Sequence, residues 1–176
     1  MFPKAHAAAY VTAAVKLAWF KIYHPAEFYA ATLIKHTENM EIETVLKGKT
    51  AVKQRITDLK ALPKPTAKEE VKVEALQLVL ELMCRGIQLL PVDARKSEAT
   101  AYVVEDRNIR MPLIVVPGCG ESAAVKLKDA ILSDDDLSID EIQQISGVNG
   151  SVIEKLKEMG VFAGFHQSAQ YSLFDL

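Results

Sequence analysis

Two stretches of this chain repeat one local pattern, and that repeat constrains the fold more than any other feature. The first is Val116-Pro117-Gly118-Cys119-Gly120, running on from Glu121 to Leu127. The second is Ser146-Gly147-Val148-Asn149-Gly150, running on from Ser151 to Leu156. Gly118 aligns with Gly147, Cys119 with Val148 and Gly120 with Asn149, while Ala124 and Leu127 align with Ile153 and Leu156. Two glycines around one apolar residue allow a tight turn with positive φ angles, and asparagine tolerates such angles better than most residues. Each turn leads into a helix N-terminus, where unpaired backbone N–H groups can hold a phosphate oxygen without a basic side chain. The apolar residue of each turn is expected to tuck between two helices and hold the hairpin together.

The rest of the chain reads as helices, then short strands. Residues 7–23 are rich in Ala, Leu and aromatics on every face, which predicts a largely buried helix. Pro25 suits a first helical position and starts a second helix to about His36. A helical period over 42–62 is interrupted at Gly48, and Pro63-Lys64-Pro65 breaks it. Thr66 with Glu69 has capping-box spacing, and Gly86 supplies a stop. Beyond Gly86, residues 88–92, 101–104 and 109–111 have the texture of short strands, the last two joined by a polar turn at 105–108.

Charge excludes some functions. The net charge is −2, so no global positive field marks a nucleic-acid partner. The basic residues gather before Thr66, and the acidic ones dominate after Ser133. Cys84 and Cys119 are too few for a disulfide scaffold or a cysteine-built zinc site. Lys16 and Lys21 interrupt the early apolar run, which argues against a signal peptide or membrane helix and for a cytoplasmic protein.

The paired turns resemble the tandem helix-hairpin-helix module, which grips the sugar-phosphate backbone of duplex DNA across the minor groove. That resemblance implies backbone contacts at Gly118, Cys119, Gly120, Gly147, Val148 and Asn149, helped by Lys126 and Lys128. Such contacts position a protein without reading sequence. Ordinary helix packing is the alternative, above all at the second turn, where Asp134, Asp135, Asp136, Asp140 and Glu141 repel phosphate.

The chain ends Gln170-Tyr171-Ser172-Leu173-Phe174-Asp175-Leu176. This resembles the peptide by which bacterial polymerases and repair factors bind the β sliding clamp, with Leu173 and Phe174 as apolar anchors, Gln170 at the pocket rim and Ser172 between them. Docking of Leu173 and Phe174 on the chain's own core is the alternative.

Phe2-Pro3-Lys4-Ala5-His6-Ala7 and His24-Pro25-Ala26-Glu27-Phe28-Tyr29 closely resemble the fingers of bacterial C-family replicative polymerases, DNA polymerase III α subunits of PolC type. The resemblance covers essentially the whole chain. It implies a mainly α fold: a helical fingers segment over 1–86, a small tandem helix-hairpin-helix domain with a few short strands over 87–166, and a clamp-binding tail over 167–176. It places Lys4 and His6 near the incoming deoxynucleoside triphosphate or the template; a solvated lysine and a helix-capping histidine are the alternative. The implied partners are primer-template duplex, the clamp and the rest of the polymerase chain, with no membrane. The family's nucleotidyl transfer runs on palm carboxylates and Mg2+, and those carboxylates are not found in this sequence. The expectation is a C-terminal portion with no catalytic residue and no cofactor of its own, inactive alone, whose first helix exposes apolar surface for want of the palm. A freestanding helix-hairpin-helix repair or processivity protein is the other reading.

Overall fold

The computed structural model describes residues 3–134 and 136–168. Eight α-helices and a small three-stranded sheet make up its regular structure among those residues, a mainly α architecture.

Helix α1 (Lys4–Tyr23) buries none of its residues, contrary to its all-round apolar composition. Val11 and Val15 are 63% exposed and Trp19 is 48% exposed. A helix apolar on every face needs partners on every face; among the described residues its main partner is α2 (Pro25–Ile34), with an ion pair from Lys21 Nζ to Glu81 at 2.8 Å. Lys21 also lies 5.6 Å from the Phe28 ring centre. In α2, by contrast, Ala26, Tyr29, Ala30 and Leu33 face the core, with Pro25 opening the helix as its fixed φ favours.

The helical period over 42–62 splits as expected. Gly48, at φ 91°, separates α3 (Ile42–Leu46) from α4 (Lys49–Lys60). Glu41, just ahead of α3, binds the Arg55 guanidinium through two bonds of 2.8 and 2.9 Å and the Lys72 ammonium at 3.0 Å. These bonds, the Arg55 pair foremost, hold its carboxyl down at about 2. One carboxylate thus fastens α4 to α5 (Ala67–Cys84). Helix α5 starts on the Thr66–Glu69 capping box, and Gly86 follows it at φ 78°.

The three strands are β1 (Leu89–Leu90), β2 (Val103–Glu105) and β3 (Asn108–Arg110). The sheet order is β1-β3-β2, with β1 parallel and β2 antiparallel to β3. Arg110 is 8% exposed and is satisfied by Glu105 and by the Pro91 carbonyl at 2.8 Å. The buried side chains form one continuous cluster from Ala26 to Phe162, running across Gly86. Three further helices follow: α6 (Glu121–Ser133), α7 (Ile139–Ser146) and α8 (Gly150–Glu158).

Candidate nucleic-acid interface

The second repeat folds as a full helix–turn–helix unit, α7 and α8 joined through Gly147-Val148-Asn149. The first does not. A single 3-10 turn, Leu113–Val115, precedes its glycine turn where a second α-helix was expected. Pro112 and Pro117 bracket that turn, and a proline cannot donate the backbone bond that would carry a helix through it. The short element is instead anchored from outside: the Leu113 and Ile114 amides donate to the Glu98 and Ala99 carbonyls at 2.9 and 3.0 Å.

The two turns share their essentials. Gly118 has φ 89° and Gly147 has φ 62°, the left-handed region that an L side chain strains to occupy. The next residue is buried in both: Cys119 is 5% and Val148 6% exposed. Burial pushes the Cys119 thiol up to about 11, so it stays protonated and acts as a small hydrophobe. Ala124, Leu127, Ile153 and Leu156 are all buried behind the turns.

The third turn position differs from expectation. Gly120 (φ −74°) and Asn149 (φ −58°) are both extended N-caps, so left-handed tolerance is irrelevant there. What matters is the side chain. Asn149 Oδ1 accepts from the Ser151 amide at 3.0 Å and closes the start of α8. Gly120 has nothing to offer, and the amides of Glu121, Ser122 and Ala123 are left without a partner among the described residues. The N-terminus of α6 is therefore an open set of donors beside an exposed glycine, while that of α8 is partly closed by its own cap. A Cβ added to Gly120 would meet nothing within 4 Å.

The lysines sort themselves by burial. Lys126 is exposed on α6, as a backbone contact requires. Lys128 is not available: it is 7% exposed, and its ammonium donates to the Ser97 and Arg95 carbonyls at 2.7 and 3.2 Å. Its expected role in DNA contact is thereby corrected. A buried ammonium must be fully bonded, and Lys128 serves to tie the loop after β1 to α6. Ser97 completes that knot, accepting from the Asp93 amide at 2.9 Å and donating to the Met111 carbonyl at 2.7 Å. Sequence reasoning missed Lys155. It lies on α8, yet its ammonium donates to the Pro117 carbonyl of the first turn at 3.1 Å. Nothing in the local pattern signals a contact made between the two repeats.

Lys4 and His6 occupy the first turn of α1, both exposed, with His6 edge-on to Tyr10 at 4.6 Å. The helix starts after Pro3, whose side chain makes no cap bond. The clamp-peptide residues Gln170, Ser172, Leu173 and Phe174 lie outside the described residues. Among the described residues, no group of three or more His, Cys, Asp or Glu is placed to hold a metal ion, and no helix is long and apolar enough to cross a membrane.

Comparison with known proteins bears on all of this. Residues 86–171 match the helix-hairpin-helix motif family. The DNA polymerase III PolC-type of Thermotoga maritima is 36% identical over 174 residues, which is 99% of this chain and 13% of that protein. The PolC-type polymerases of Staphylococcus epidermidis and Staphylococcus aureus are 34% and 33% identical over 177 residues, covering 100% of this chain and 12% of theirs. The chain thus spans only about an eighth of the length of these relatives.

Proposed function

We propose that this chain, which belongs to the PolC-type DNA polymerase III family as one region of such a polymerase, holds duplex DNA by its backbone through the first glycine turn and binds the sliding clamp through its terminal peptide. The observation that carries the first half is the uncapped start of α6 behind Gly118-Cys119-Gly120. Its donors are fixed, exposed and uncharged, which suits a phosphate oxygen and is indifferent to base sequence. Gly147, Val148 and Asn149 form the subordinate turn, since Asn149 already uses one amide of its helix. The second half is supported by the Gln-x-Ser-Leu-Phe wording of residues 170–174.

In the whole polymerase, nucleotidyl transfer falls to carboxylates and Mg2+ outside this chain, which has no synthesis of its own. Lys4 and His6, on a helix that carries no acidic residue, face the triphosphate or the template. The apolar surface of α1 packs against the remaining polymerase chain.

The test uses Gly120→Val. The backbone there is extended and a Cβ meets open space, so the fold tolerates the change while the new side chain stands in front of the α6 donors. Duplex affinity at low salt is expected to fall roughly tenfold, the size set by one lost charge-assisted bond of ~1.4 kcal/mol. Unchanged affinity would remove the first turn from the interface. Deleting residues 170–176 is expected to abolish clamp binding and leave duplex binding intact; equal clamp binding by both chains would refute the tail assignment.

A further inference from the structure

We infer that Lys155, carried by the second hairpin, supplies the cationic contact for the phosphate held at the first turn; the inference rests on the duplex-binding reading above. Four lysines stand on α6 and α8. Lys128 is buried on carbonyls, and Lys157 is paired with Glu154 at 3.0 Å. Lys126 is exposed but sits a turn and more into α6. Lys155 alone is brought to the glycine turn itself, and its partner there is a neutral carbonyl, Pro117 O at 3.1 Å. An ammonium has three donors, so two remain for a ligand, and no carboxylate among the described residues pairs with it. Glu43 and Glu158 line the same small cleft, which trims the local positive potential without forming an ion pair.

The packing explains why the ammonium stays there. A Cβ on Gly118 would lie 3.6 Å from Val152 Cγ2 and 4.0 Å from Lys155 Nζ, so α8 runs directly beside the first turn. The glycine therefore does two things. It adopts a left-handed φ, and it leaves the space between the turn and the ammonium open. A charge held in place by its own protein loses less entropy on binding than a free lysine does. The result is a composite site, with uncharged amides from the first repeat and charge from the second. It also gives the tandem arrangement a purpose that two independent hairpins would lack.

The test is a salt titration of duplex binding by the full chain and by Lys155→Gln, Lys155→Arg and Lys126→Gln. Each phosphate neutralised contributes about −0.9 to the slope of log K against log salt. Lys155→Gln is expected to lose roughly three- to tenfold in affinity at about 0.1 M salt and to flatten the slope by about 0.9, with Lys155→Arg restoring both. Lys126→Gln is expected to change both less. A Lys155→Gln chain that keeps the parent slope overturns the inference, whether or not its affinity falls, because lost packing lowers affinity without changing the number of released ions. If the parent chain shows no salt-dependent binding at all, the duplex-binding reading itself fails, which is a separate result.

Discussion

The first and second glycine turns are built on one pattern and finished differently. Both place a left-handed glycine before a buried apolar residue and an extended N-cap. The second has both helix starts closed: α7 begins on a Ser138–Glu141 capping box, its Ile139 and Asp140 amides donate to the His166 and Gln167 carbonyls at 2.9 and 3.2 Å, and Asn149 caps α8. The first is dependent. Its leading element is one 3-10 turn held by Glu98 and Ala99, its following helix is uncapped, and Lys128 and Lys155 brace it from inside and from the neighbouring hairpin. The lesson is that satisfying a helix end locally and leaving it open for a ligand are competing uses of the same amides. The repeat whose helix starts are already closed has less left to offer.

That contrast can be broken in several ways. The largest effect is expected at Lys128. Lys128→Met leaves the Arg95 and Ser97 carbonyls unpaired in a buried position, and the chain should lose about 2–3 kcal/mol by denaturant titration. A loss below 0.5 kcal/mol, on the order of an ordinary surface change, would show that the first hairpin does not need this brace. Next come the caps. Asn149→Ala should cost about 1 kcal/mol, whereas Gly120→Asn should add a few tenths while weakening duplex binding by closing the open donors. If Gly120→Asn gained stability without touching affinity, the amides of α6 would not be the ligand's partners.

The smallest effect is a difference in acid response. Hydrogen bonds from the Ser138 hydroxyl and amide hold the Glu141 carboxyl below its ordinary range. A depressed folded pKa contributes stability that is present above the unfolded value and fades as pH falls through the folded one. Amides in the first turn of α7 should therefore lose exchange protection below the ordinary carboxylate range. The start of α6 has no such cap to lose, so its own protection should vary less across the same window. Equal responses would mean that the capping box contributes nothing to the second hairpin.

Local signals carried much of the fold. The Thr66–Glu69 box, the interruption at Gly48, the stop at Gly86 and both glycine turns depend on φ angles and hydrogen bonds within four residues, and the structure has each of them. The three strands fall within two residues of where their texture placed them. Burial was less legible. Composition makes α1 look like a core helix, while the resemblance expects it to expose apolar surface for want of the palm; among the described residues it buries none of its side chains. Lys128 looks like a surface lysine beside Lys126, and only the approach of residues 95–97 takes it inside.

The sequence by itself determined that this chain carries two helix starts behind left-handed glycines, because backbone sterics and capping are set by near neighbours. It also carried the family resemblance, since identical residues at matching spacing persist along the whole length. Which start is open is equally local, since Asn149 caps α8 through the amide two residues on while Gly120 has no side chain to cap α6. Only the tertiary structure decided which lysine is spent as scaffolding and which is delivered to the turn. Those outcomes depend on groups thirty or more positions apart, 31 for Lys128 with Ser97 and 38 for Lys155 with Pro117. No local pattern encodes a meeting at that separation, because it is the packing of whole helices that brings the two ends together.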